Sequence, residues 1–307
     1  MKRFYDDLDK NQLRVTHPFP LIFLCGGKVG LTGAAQSLRD YIYRTNRPGS
    51  SNFRFVLAEQ ANALYRDTRY HDLISFEEDI ARIASLVVVI AESPGSLAEL
   101  GAFASSPPIR PSLRILIQEL YASDESFIRF GPVERIRRDG DENVGVFPWT
   151  TKDNGFLDAE SVAPHAEEIE KFLGDHMKRV PASTLYVNLP EAQVFFLIYW
   201  IIYLGLALSH SAIASCLLTI MPTFPVHELS NKIYCMEIAG WVKRLKYSGK
   251  EYLYACDGDP FAYSFKAGVT KRDSLRRKTE AVRSIKQDWQ APKYVRDTAA
   301  SARGFQR

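Results

Sequence analysis

Leu86-Val87-Val88-Val89-Ile90 is an unbroken apolar run, mostly β-branched, and no other stretch of the chain narrows the choice of fold so sharply. A short apolar run without alternation reads as a strand buried on both faces, the place of a central strand in a parallel sheet. Directly after it comes Glu92 to Phe103, ESPGSLAELGAF. Pro94 and Gly95 turn the chain, Ser96 offers a cap, and Leu97, Leu100 and Ala104 follow at helical spacing. This predicts a helix with Glu99 in its first turn, at the carboxyl end of a central strand, where open α/β sheets place their ligands.

The flanking sequence supplies the rest of such a sheet. Leu21 to Cys25, Phe53 to Leu57, Leu113 to Ile117 and Val144 to Phe147 read as further strands. Helical patterns fall at about Ala34 to Thr45, Ser75 to Ala84 and Ala163 to Lys178, so the expected class is α/β with a doubly wound parallel sheet. Gly26, Gly27, Gly30 and Gly33 surround the turn after the first strand, where backbone N–H groups can cradle a phosphate or a ribose. The spacing is neither a Walker loop nor a full dinucleotide fingerprint, and Lys28 is not followed by Ser or Thr.

Two readings of Glu99 follow from its position. Ser96 and Glu99 stand three apart, as in a capping box whose Glu only binds the backbone of its own helix. Alternatively, free N–H groups at the helix start keep the carboxylate ionised. With Glu92 at the strand end and Gly95 and Gly101 permitting close approach, it could then attack a sugar carbon that develops oxocarbenium character.

IFLCGG at Ile22 to Gly27 together with SPGSLAELGAF resembles the nucleoside 2-deoxyribosyltransferase fold, which is flavodoxin-like. With SFIRFGPV at Ser126 to Val133 added, the chain is more closely similar to the toxic effector proteins of bacterial retrons. That resemblance implies that Glu99 is a nucleophile at an anomeric carbon, breaking the N-glycosidic bond of NAD, a nucleoside or a nucleotide, with water or another base as acceptor and no cofactor. Gly26, Gly27, Glu59, Glu77, Glu92, Ser93, Gly95 and Ser96 are the expected substrate contacts, with Glu78 next after Glu77. The relatives usually carry Asp where Glu92 stands, which leaves a preference for deoxyribose open. Phe127, Phe130 and Gly131 would wall the pocket and stack on a base, or serve as a hydrophobic plug. The retron reading further implies a toxin in antiphage defence, kept silent by a reverse transcriptase and its RNA-linked multicopy single-stranded DNA, within an oligomeric complex. The rival reading is a nucleotide-sensing, DNA-binding regulator without turnover.

A chain of 307 residues has room for two domains with cores of their own. The expected layout is an N-terminal arm at 1–20, the catalytic domain at 21–179, a winged-helix-like domain at 185–266 and a basic tail at 267–307. Val194 to Leu208 carries no charge over fifteen residues, and apolar character resumes after Ser209-His210-Ser211 as far as Met221. A membrane span there would have to pass through His210, and a membrane-active toxin built on it is a third alternative. The preferred reading is a buried helix, a turn at His210 and a second helix from Ser211 to Met221. A third helix from about Leu229 to Leu245 follows, then a ribbon of Lys250 to Cys256 and Phe261 to Phe265 turning at Asp257-Gly258-Asp259. Three helices and a ribbon give the order of a winged helix, with a generic helical interaction module as the alternative.

The formal charge of +3 is small, but from Ala267 onward eleven Lys or Arg stand against four Asp or Glu. Lys243, Arg244, Lys250, Lys271, Arg272, Arg276, Arg277 and Lys278 are therefore the candidate contacts to a nucleic-acid backbone, against the alternative of a solvated terminal helix. Cys25, Cys216, Cys235 and Cys256 lie far apart without metal-ligand spacing, so no metal is expected. Reduced thiols and a polar start, MKRFYDDLDKNQ, point to the cytoplasm.

Overall fold

Five parallel strands organise the middle of the chain: β1 (Leu21–Cys25), β2 (Arg54–Leu57), β3 (Leu86–Ala91), β4 (Leu113–Gln118) and β5 (Val144–Phe147). The protein is seen in a computed structural model, which describes residues 1–30, 32–45, 53–57, 59, 70 and 72–304. The chain divides into two compact units, one of residues 20–63 and 80–181, the other of residues 1–19, 64–79 and 182–307.

In the first unit the strand order is β2-β1-β3-β4-β5, every neighbouring pair parallel. This is the order of flavodoxin-like sheets, whose switch point lies between β1 and β3. All six residues of β3 are buried, as their unbroken apolar run demands. One sheet face, through Ile22, Leu24, Val88, Ile90 and Leu116, packs in a core with Leu38 and Ile42 of helix α1 (Leu38–Thr45). Helix α2 (Leu73–Ile83) leads into β3, and helix α3 (Pro94–Ser105) leaves it. On the other face Phe23 meets Phe103 of α3 at a ring separation of 6.2 Å. Helix α4 (Ala166–Arg179) returns to the first face with Ile169 and Leu173. Each such aliphatic side chain contributes about 1.5–3 kcal/mol by leaving water.

Two local expectations are corrected here. Helix α3 starts at Pro94, with Ser93 rather than Ser96 as its cap, because Pro94 fits the first helical position. Ser93 and Ser96 form the capping box between themselves, so Glu99 is not part of it and sits in the second turn. The SFIRFGPV stretch is not a loop: Arg129–Val133 is a π-helical turn that runs straight into the helix Glu134–Asp139.

In the second unit the long apolar stretch is helix α5 (Gln193–Gly205), apolar on all sides and buried from Phe195 to Ile202. Its thirteen residues span about 20 Å, short of a bilayer core. Among the described residues no helix is long and apolar enough to cross a membrane. Leu206, at φ 68°, ends the helix, and Leu208 then makes an isolated antiparallel bridge to Leu253. Helix α6 (His210–Ile220) starts at His210 itself, capped by Ser209.

Helix α7 (Leu229–Ile238) is shorter than its apolar pattern suggested, and the hairpin lies elsewhere. β6 (Val242–Tyr247) and β7 (Lys250–Ala255) pair antiparallel across Ser248-Gly249. Both turn residues have positive φ, 49° and 75°, which gives the two-residue turn whose twist matches the strands. Phe261–Ala262 is not a hairpin partner of β7; it pairs with Arg14–Val15, which also pairs with Thr184–Leu185. Helices α8 (Lys271–Trp289) and α9 (Lys293–Gly304) close the chain.

Candidate active site

A cavity of about 830 Å³ opens where β1, β3, β4 and β5 end. Gly27 follows β1, Ala91 and Glu92 close β3, Ile117 and Gln118 close β4, and Trp149 lies just past β5. Tyr121, Asp124, Asn154 and Phe156 complete much of the wall, and Lys28 is the one cation among its described lining residues. An aromatic, amide-bearing pocket of this size suits a flat heterocycle joined to a polar group. Trp149, Gln118, Asp124 and Asn154 were missed in the sequence. For Gln118 the signal was present, since it ends a parallel strand, and that is where such sheets hold ligands.

The Glu92 carboxylate accepts three backbone hydrogen bonds. Its Oε1 accepts from the backbone N–H of Gly27 at 2.9 Å and of Arg39 at 3.0 Å, and its Oε2 accepts from Leu38 N–H at 2.8 Å. Burial pushes its pKa up, while these three N–H donors and the Arg39 guanidinium pull it down. Gly26 and Gly27 fit close against this carboxylate. A Cβ on Gly26 would meet Glu92 Oε1 and Arg39 Cβ at 2.9 Å, and one on Gly27 would meet Ser37 Cβ at 2.7 Å. Gly95 and Gly101 carry no such crowding.

Arg39 is 2% exposed and reaches across the end of β1. It donates to Leu24 O and Gly27 O, and its two terminal nitrogens grip the Glu59 carboxylate at 2.7 and 2.6 Å. Glu59 is thus tied to an arginine rather than turned towards the cavity lining.

Glu99 lies on the Cys25 side of this cluster and outside the described lining of the large cavity. Burial raises its pKa, opposed by the Arg39 guanidinium and by a hydrogen bond with the Cys25 thiol, with Glu59 adding to the rise. The free N–H groups of a helix start therefore do not hold it ionised as the sequence suggested, because the helix begins one turn too early. Its Oε2 is buried without a hydrogen-bond partner, the only carboxylate oxygen among the described residues in that state. Such an oxygen is costly to keep, about 1–3 kcal/mol or more for a charged group.

Of the other expected contacts, Ser93 and Gly27 line the cavity, while Ser96 is spent on the helix cap and Gly95 is exposed. Glu77 and Glu78 are half-buried on α2 and are not in the lining. Phe127 and Phe130 point outward, 83% and 61% exposed, so they neither wall this cavity nor plug it.

The candidate nucleic-acid contacts fall into two sets. Lys243, Lys250, Lys271 and Arg272 are exposed. Arg244 is held by Glu237 and Glu251, Arg276 pairs with Glu280, Arg277 with Asp7, and Lys278 with Asp259.

Residues 35–244 match the family model described as STM3845 retron effector protein. The chain is 32% identical over 123 residues to the "Retron Ec86 putative ribosyltransferase/DNA-binding protein" of Escherichia coli, covering 40% of this chain and 39% of that relative. It is 27% identical over 125 residues to the "Retron Ec73 putative ribosyltransferase/DNA-binding protein" of the same organism, again 40% and 39%. The matched region thus spans about two fifths of the length of these curated relatives.

Proposed function

The chain belongs to the STM3845 retron effector family, and from that premise we propose that it is a toxic effector that breaks N-glycosidic bonds with Glu99 as its nucleophile. The ionised carboxylate attacks the anomeric carbon, the carbon–nitrogen bond breaks, and the base leaves with the bonding electrons and takes up a proton. Water then releases the sugar from Glu99, or a second base accepts it. The substrate is NAD, a nucleoside or a nucleotide, and a nucleoside deoxyribosyltransferase-like sheet carries the site. The ribosyltransferase wording in the names of both Escherichia coli relatives supports the reaction class.

One observation carries the assignment to Glu99: a buried carboxylate oxygen without a partner, beside a buried arginine, at the carboxyl edge of a parallel sheet. A fold keeps such a group at a cost, and a reacting group is the usual reason. Arg39 and Glu59 position it, and the proposed sugar contacts are Gly27, Ser93 and the remaining lone pair of Glu92 Oε2.

The winged-helix-like reading of the second unit is supported by the succession of α5, α6, α7 and the β6–β7 hairpin, with Leu208, between α5 and α6, bridging to Leu253. We assign it to the retron's RNA-linked DNA and reverse transcriptase, which hold the toxin silent in the cytoplasm. The DNA-binding wording in the relatives' names points the same way.

The test is incubation of the purified chain, alone and with its retron partners, with NAD and with deoxynucleosides, following release of nicotinamide or free base. Glu99→Gln should lower turnover on the order of 10³-fold or more. Turnover that survives this change removes the mechanism. The position of Glu99 outside the described cavity lining favours one rival, a nucleotide sensor. Tight nucleotide binding with no turnover under any partner condition would establish it instead.

A further inference from the structure

The turn after β1 has the glycines and the helix start of an anion cradle, yet the anion in it is the protein's own. Three backbone donors converge on Glu92: Gly27 N–H from the turn, and Leu38 and Arg39 N–H from the first turn of α1. These are the groups that would otherwise meet a phosphate oxygen. Gly26 and Gly27 are needed for the approach of this carboxylate, since a Cβ on either would come within 3.2 Å of a Glu92 atom. The same turn is braced from behind, where Ser37 Oγ donates to Lys28 O and Asp40 accepts from Gly30 N–H.

With the cradle filled, the cavity lining offers a substrate phosphate one cation among the described residues, the exposed Lys28, beside the acids Glu92 and Asp124. A phosphate placed on the turn would lie against Glu92, whose carboxylate already takes the Gly27, Leu38 and Arg39 N–H groups. We propose that Glu92 is a positioning residue whose carboxylate replaces a bound phosphate at the Gly26-Gly27 turn, and that Lys28 is the specificity residue that takes the phosphate of a phosphorylated N-glycoside. This rests on the reading of the cavity as an N-glycoside site, and the experiment has one arm that does not.

In the first arm, the full chain and Glu92→Ala are melted with inorganic phosphate against chloride at equal ionic strength. Removing the carboxylate vacates three N–H donors, so phosphate should raise the Tm of Glu92→Ala by roughly 2–4 °C and leave the unaltered chain unmoved. Equal shifts in both proteins, or none in Glu92→Ala, overturn the positioning role. Because this variant can fail to fold, a second arm uses Lys28→Ala and measures binding of a nucleoside and of its 5′-monophosphate by calorimetry. The monophosphate should bind the unaltered chain about tenfold more tightly than the nucleoside, and Lys28→Ala should erase that ratio. A ratio that persists places the phosphate on the turn and overturns the proposal, as does a monophosphate that binds the unaltered chain no better than the nucleoside. If neither ligand binds, while phosphate still rescues Glu92→Ala, the N-glycoside reading fails and the filled cradle stands.

Discussion

Glu99 answers to two demands at once, and their conflict is measurable. Burial raises its pKa above the ordinary glutamate value of 4.5. The folded chain therefore keeps the proton to a higher pH than the unfolded chain does. The carboxyl favours folding below its unfolded pKa, and that contribution is lost as the pH rises through the folded pKa. Above the folded pKa the ionised form is held against its preference, so there Glu99→Gln should stabilise the fold by about 1 kcal/mol while it removes turnover. The gain in Tm should be larger at pH 8 than at pH 5; the reverse order would mean that the carboxylate is structurally satisfied. For the same reason the acidic limb of kcat/KM should lie above 4.5. The sequence marked Glu99 as special because its neighbours are local: a buried strand, a proline, a short helix. It could not show how Glu92 is used, since the carboxylate's partners stand 65, 54 and 53 positions away. Nor could it show that the capping box closes on two serines, because Ser93 with Ser96 and Ser96 with Glu99 both stand three apart there.

At the scale of elements, the sheet was legible because each strand announces itself over four to six residues, whereas α7 was misjudged because tertiary contacts define it. No residue of α7 is exposed. Lys232, near its middle, bonds Asp79 at 2.7 and 2.9 Å, a partner 153 positions away, and Tyr70 donates to the same carboxylate at 2.6 Å. Asp79 and Lys232 side chains are 3% and 13% exposed, so removing one leaves the other buried and charged. Asp79→Ala should cost about 3–5 kcal/mol in urea unfolding, and the double change Asp79→Leu with Lys232→Met should recover most of it. A cost below about 1 kcal/mol for the single change would show that water reaches the pair. The hairpin was misplaced for a simpler reason. Asp257-Gly258 carries the stronger turn signal, but the pairing partner of Phe261 lies in the N-terminal arm. What fixes the real turn is Gly249 at φ 75°, where Ala should cost about 1 kcal/mol.

At the scale of the molecule, charge counts mislead until each charge is assigned a partner. The chain is only +3 overall, with its basic excess towards the carboxyl end. Four of the eight expected phosphate contacts already have acids: Arg244 bridges Glu237 and Glu251, Arg276 meets Glu280 across one turn, Arg277 holds Asp7, and Lys278 sits on Asp259 and over the Tyr263 ring. A cation with a partner releases few counterions when nucleic acid arrives, so it should add little to the salt dependence of binding. Lys243, Lys250, Lys271 and Arg272 are exposed and should carry that dependence. With a fluorescent single strand as probe, each of these four changed to Ala should reduce the slope of log affinity against log salt by about 0.7. Arg277→Ala and Lys278→Ala should leave the slope in place and instead lower the Tm, because each strands a carboxylate that packing has partly removed from water. If the slope instead falls with Arg277 and Lys278 and ignores Lys271 and Arg272, the ion pairs open on binding and the nucleic acid lies along the inner face of α8.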